Sequence, residues 1–172
     1  MCSSDLTERL ILRELTLGDL EDLHAIFSDP ESMQHYPGPF SLEKSKKWIE
    51  WNIKNYATYS FGLWGVILKE ENKLIGDCGI TMQNIYGKME PEIGYHINKY
   101  YTNRGYATEA AIACRDYAFT VLNLNRLYSY MKYTNAPSMR VAEKNGMKFV
   151  AEVENQKNIK TRIYSISRDD IS

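Results

Sequence analysis

Between Pro91 and Tyr133 the chain reads as strand, then helix, then strand, in the segments "PEIGYHIN", "ATEAAIACRDYAFTVL" and "RLYSYMKY". Two strands joined through a helix run parallel, because the crossover returns the chain to the same end of the sheet before the second strand begins. The strand runs on either side of this unit are joined by short turns and read as antiparallel. The crossover therefore predicts one parallel pair inside a largely antiparallel sheet.

The remaining segments fit around that unit. "ERLILREL" is a short β-rich run, after which Thr16 and Asp19 precede Leu20, Leu23, Ile26 and Phe27 at helical spacing. "DPESMQHYPGPF" is turn-rich, and Ser41 then opens a second helix through Trp48, Ile49, Ile53 and Tyr56. "FGLWGVILK", "KLIGDCGITM" and "PEIGYHIN", separated by "EENK" and "NIYGKM", predict a three-stranded antiparallel meander. The crossover helix places Ala111, Cys114, Ala118, Val121 and Leu122 on an apolar stripe, with Asn123 or Asn125 ending it. "APSMRVAEKN" is a short helix with Pro137 in its first turn and Gly146 as its stop, and "KFVAEVE" with "KTRIYSI" closes as a hairpin. The class is α+β. No repeat or linker divides the 172 residues, so residues 1–172 are expected to form a single domain.

Charge gives no partner. The formal net charge is −1, which argues against bulk attraction to nucleic acid or a membrane surface. Cys2, Cys78 and Cys114 stand far apart with no C-x-x-C pair, so spacing predicts no zinc site or disulfide framework, and no metal is expected. The opening "MCSSDLTERL" lacks an apolar signal core, and no run approaches the roughly 20 apolar residues of a membrane span. A reducing cytoplasm is the expected compartment.

The stretch "YYTNRGYATEAA", Tyr100 to Ala111, leads a small, flexible loop into the crossover helix. The first amides of a helix lack internal partners and carry partial positive charge. Gly105 permits close backbone approach, Ala107 withholds bulk, Thr108 offers a hydroxyl and Arg104 a charge suited to phosphate oxygens. Diphosphate binding is one reading; a helix start with a convenient glycine is the other. The P-loop pattern G-x-x-x-x-G-K-[ST] and the dinucleotide pattern G-x-G-x-x-G are both absent.

The ordered set "PEIGYHI", "NRGYATEA" and "TNAPSMRVAEKNGMKF" resembles the GNAT superfamily of acetyl-CoA-dependent N-acetyltransferases. "TERLILREL" and the N-x-x-S pattern of Asn135 and Ser138 are similar to the RimJ/RimL branch, which acts on ribosomal-protein N-termini. The resemblance implies a GNAT-like mixed, mostly antiparallel β-sheet with a splayed central parallel strand pair flanked by helices. It implies acetyl-CoA as cosubstrate, with the pantetheine arm in the splayed gap against Tyr95, His96 and Ile97. The diphosphate would lie on Asn103, Arg104, Gly105, Tyr106, Ala107 and Thr108, and Asn135 would bond the arm, with Ser138 near the sulfur. The acceptor would be a primary amine, by preference a protein or peptide N-terminus, and a homodimer is the candidate assembly. A small-molecule amine acceptor, or a non-catalytic acyl-CoA sensor or scaffold, stays open. Three positions depart from the superfamily pattern: Thr102 opens the loop, Ala142 stands where many members carry a tyrosine acid, and Met147 follows Gly146 where a phenylalanine is usual.

Acyl transfer from a thioester to an amine needs a neutral amine, a polarised carbonyl and a stabilised thiolate. Strand alternation puts Glu92, Gly94 and His96 on one face and Ile93, Tyr95 and Ile97 on the other. Glu92 is the candidate base, against the plainer reading of a strand carboxylate paired with lysine. Ser138 is the candidate partner of the thiolate, against a capping role at its helix start. His96 is a proton relay or a hydrogen-bonded neighbour, and His35 and Tyr36 are candidates for the acceptor side.

Overall fold

The structure, a computed structural model, describes residues 7–155 and 159–171. Cys2 lies outside the described residues. The strands are β1 (Leu10–Arg13), β2 (Leu63–Leu68), β3 (Lys73–Ile85), β4 (Lys88–Ile97), β5 (Arg126–Lys132), β6 (Lys148–Glu154) and β7 (Lys160–Ser167). The helices are α1 (Leu20–Phe27), α2 (Leu42–Tyr59), α3 (Tyr106–Thr120) and α4 (Ala136–Lys144). The strands form one seven-stranded sheet in the order β1-β2-β3-β4-β5-β7-β6. Among the described residues only β4 and β5 run parallel, as the crossover through α3 requires.

Alternation in the strands explains the layering. Trp64, Val66 and Leu68 of β2 enter one core with Ala110, Ala111 and Cys114 of α3, whereas Ile67 between them joins a second core with α1 and α2. The Trp64 ring is fully buried and meets Tyr117 edge-on at 5.6 Å. Each fully buried apolar side chain of this kind contributes about 1.5–3 kcal/mol.

Local signals set most element ends. Ser41 accepts a hydrogen bond from Lys44 N and caps α2. Thr16 N donates to Asp19 Oδ2, and the guanidinium of Arg13 grips both Asp19 oxygens at 2.8 and 2.9 Å. Strands β3 and β4 run further than their apolar runs predict. Tyr86 and Gly87, at φ 54 and 80, make a two-residue turn that lets pairing continue to Ile85↔Lys88. The α3 stripe also differs: the helix ends at Thr120, Val121 is 50% exposed, and Phe119 is the buried residue there. The N–H groups of Val121 and Leu122 both turn back to Tyr117 O, which swings Val121 outward.

The central pair is splayed. Strands β3 and β4 pair continuously from Gly76↔Ile97 to Ile85↔Lys88, but β4 and β5 share only Glu92↔Tyr128. Tyr130 N donates to the Glu92 carboxyl, and the last tie is Ser129 Oγ donating to Ile93 O at 3.3 Å. Past that tie the strands part, and a gap opens toward the start of α3.

Candidate active site

Backbone direction alternates along a strand, so the splay leaves a defined set of groups without a strand partner. Asn98 N donates to Ile75 O on the β3 side, and His96 N donates to Asp77 Oδ1 on that same side. The alternate residues, Tyr95 and Ile97, therefore turn their N–H and C=O groups into the gap. Tyr36 reaches across from the segment between α1 and α2 and donates its hydroxyl to Tyr95 O at 2.7 Å.

At the mouth of the gap the loop before α3 turns sharply. Asn103 has φ 62 and Gly105 φ 82, and Gly105 caps the helix by accepting from Glu109 N. The N–H groups of Tyr106, Ala107 and Thr108 are left at the helix start with no intrahelical acceptor. Arg9, just before β1, braces this turn. Its Nε pairs with Glu109 Oε1 at 2.8 Å, its Nη1 donates to Arg104 O at 3.0 Å, and its guanidinium lies 4.3 Å from the centre of the Tyr106 ring. Thr7 and the backbone N of Arg9 also donate to Glu109. Partial burial opposes ionisation of Glu109, but these hydrogen bonds outweigh it and hold the carboxyl below its ordinary value.

The opposite wall is α4. Asn135 caps it, accepting from Ser138 N at 3.2 Å. Ser138 is thus not the cap. Its Oγ instead accepts a hydrogen bond from the phenol of Tyr95 at 2.9 Å. Desolvation pushes the Tyr95 phenol up to about 12, with the Ser138 bond opposing that shift.

These elements enclose an open cavity of about 410 Å³. Its wall includes Tyr95, His96, Ile97, Asn103, Gly105, Tyr106, Ala107, Thr108, Asn135 and Ser138, with His35 and Tyr36 at the side facing α1 and α2. Two predicted residues stand off the wall. The Arg104 guanidinium sits 5.8 Å from the Tyr101 ring, and Glu92 is buried beneath the surface of the sheet.

Glu92 and His96 do share a face of β4. A Cβ on Gly94 would stand 3.2 Å from Glu92 Oε2, so the glycine leaves room for the carboxyl to lie along the strand. Burial pushes the Glu92 carboxyl well above its ordinary value, opposed only in part by a backbone hydrogen bond from Tyr130. His96 is held by Asp77, which accepts from His96 N and from its ring Nδ1 at 3.0 and 2.8 Å. Trp48 Nε1 donates to the other oxygen of Asp77 at 3.0 Å. With Nδ1 committed, Nε2 is the ring nitrogen left for the cavity. Tyr36 lies against the imidazole, ring centres 4.4 Å apart. His35 is held below its ordinary value, first by desolvation and then by the charge of Lys132.

Asp77, Trp48 and Arg9 are the residues that sequence reasoning missed. A signal existed for Asp77: it is the only charge inside the apolar run "LIGDCGI", and a buried charge needs partners.

The profile of the acetyltransferase (GNAT) domain family matches residues 9–148. An N-acetyltransferase of Bacillus subtilis (strain 168) carrying the name YnaD, itself uncharacterized, is 36% identical over 143 residues, covering 83% of this chain and 81% of YnaD. The crystal structure of a GNAT-family acetyltransferase from Bacillus anthracis superposes with a TM-score of 0.82 at 30% identity, covering 95% of this chain and 98% of that one. RimL, described as a ribosomal L7/L12 alpha-N-protein acetyltransferase and solved with coenzyme A, shares the fold at a TM-score of 0.80 and 15% identity, over 95% and 97% of the two chains. With a parallel pair splayed beside a helix start and the family profile spanning most of its length, the chain belongs to the GNAT family and is an N-acetyltransferase.

Proposed function

We propose that this enzyme moves the acetyl group of acetyl-CoA to a primary amine, by preference the α-amine of a protein or peptide N-terminus. The observation that carries the reading is the edge of β4 in the gap, where the Tyr95 N–H and the N–H and C=O of Ile97 have no strand partner while Tyr95 O takes the Tyr36 hydroxyl, ending at the open N-terminus of α3. A donor made of an extended amide arm and a diphosphate fits both features: the strand edge offers unpaired N–H and C=O groups, and the helix start offers orphan N–H groups to an anion. When bound, acetyl-CoA supplies an activated acyl thioester.

The chain's own groups divide the work. The amides of Tyr106, Ala107 and Thr108 hold the diphosphate, and the Asn135 side-chain amide steadies the arm. An N–H on the strand edge at Tyr95 to Ile97 is the donor available to polarise a carbonyl. Glu92, its carboxylate made a stronger base by burial, accepts the amine proton through water. Ser138 Oγ–H is the donor for a leaving sulfur. His35 and Tyr36 border the side on which the acceptor enters. The preference for an N-terminal α-amine is supported by the fold shared with RimL, which is support by analogy.

Thiol release in the presence of acetyl-CoA tests the reading. The panel holds short peptides with free N-termini, the same peptides N-blocked, free amino acids, polyamines and aminoglycoside-type amines. Turnover with free but not blocked peptides is expected. Faster turnover of a small amine would replace the N-terminal preference, and binding without thiol release from any acceptor would favour a sensor.

A further inference from the structure

Two hydroxyls meet inside the cavity, Tyr95 Oη and Ser138 Oγ, 2.9 Å apart. A phenol is a stronger acid than an alcohol, so the phenol is the donor and the serine oxygen the acceptor. The serine has no competing duty at the helix start, because Asn135 Oδ1 already takes Ser138 N. Once Oγ accepts from Tyr95, its own proton is not spent on that bond and is left to donate elsewhere, an anion against the cavity wall included. A hydroxyl that accepts one hydrogen bond also donates a stronger one, since the two polarise each other. Position 142, on the turn after Ser138, is a buried alanine and contributes no hydroxyl of its own.

We propose that Tyr95 is a positioning residue, its phenol acting through Ser138 to aim the serine proton at an anionic sulfur in the cavity. This rests on the acetyl-CoA reading of the same site. In the step concerned, the acceptor nitrogen bonds to the acyl carbon and gives its proton through water to Glu92, the bond from sulfur to that carbon breaks, the electron pair stays on sulfur as a thiolate, and Ser138 Oγ–H donates a hydrogen bond to it. The phenol remains protonated throughout, in keeping with its upward-shifted pKa.

The test uses the whole chain and coenzyme A itself, so no acceptor is needed. The thiol of bound coenzyme A is titrated by its thiolate absorbance, and desulfo-coenzyme A titrated on the same protein removes the tyrosine contribution. In wild type the bound thiol should ionise at lower pH than in Tyr95→Phe, by about one pH unit, a tenfold difference in proton affinity. Ser138→Ala should raise it at least as far, and the double variant should match Ser138→Ala. Equal thiol pKa values in wild type and Tyr95→Phe, with both binding, would overturn the proposal, as would additive effects in the double variant. Desulfo-coenzyme A separates the two readings. If wild type does not bind it, the acetyl-CoA site falls and this role with it; if it binds but the thiol titrates alike in all variants, only the role of Tyr95 falls.

Discussion

Asp77 and His96 face each other across β3 and β4, and one carboxylate oxygen, Oδ1, accepts from both the backbone N and the ring Nδ1 of the histidine. Trp48 Nε1 takes Oδ2 of the same carboxylate, so a fully buried side chain ties α2 to the floor of the cavity. Asp77→Ala strands three donors, the two of buried His96 and that of half-buried Trp48, and is expected to cost about 3 kcal/mol or more. Asp77→Asn, which keeps one acceptor oxygen, should cost less. Urea unfolding of the three proteins checks the ranking, and an alanine variant as stable as wild type would remove Asp77 from the account.

Glu92 gives a pH prediction of definite sign. Its carboxyl is raised by burial above the ordinary 4.5, so the fold favours the protonated form. The stabilisation is complete below that ordinary value and is lost as pH climbs through the raised pKa. Glu92→Gln, neutral at every pH, should therefore gain stability relative to wild type as pH rises above about 4.5, in urea midpoints between about pH 4 and 9. The same variant should lose most acetyl transfer at all pH values. A Glu92→Gln enzyme with the wild-type rate and pH profile would take the base role away from this residue.

Arg9 lies off the cavity yet grips the loop that forms its mouth through Glu109, Arg104 O and the Tyr106 ring. Removing the grip should loosen the loop without touching the acyl group. Arg9→Ala is expected to raise KM for acetyl-CoA about three- to tenfold with kcat little changed. Arg9→Lys should recover only part, because an ammonium cannot span Glu109 and the carbonyl as the planar guanidinium does. Steady-state kinetics at saturating acceptor separate KM from kcat; a fall in kcat alone would contradict a role confined to the loop.

What the sequence made legible follows from what is local in it. The crossover, the glycine before α3, the cap at Ser41 and the alternation of Glu92, Gly94 and His96 depend on neighbours a few residues apart, and each stands where its pattern put it. The contacts that shape the site span long separations. Asp77 to His96 requires the register of β3 on β4, Tyr95 to Ser138 requires α4 to fold back over the gap, and Arg9 to Glu109 requires β1 to lie beside α3. No periodicity encodes such meetings. Val121 shows the opposite limit: its spacing fits the buried stripe, but the helix ends one residue earlier and the side chain turns to solvent.

The most direct measurement of the central claim, that the gap between β4 and β5 and the start of α3 hold acetyl-CoA, is thermal unfolding with and without that ligand. Wild type is compared with Gly105→Trp, which places a bulky side chain where the backbone has φ 82, and the unliganded melt of the variant reports its own folding. At roughly 100 times the dissociation constant, specific binding should add about 2.7 kcal/mol to wild type. A shift in wild type that is absent from a folded Gly105→Trp is the predicted result. No shift in wild type, or the same shift in both, would contradict it.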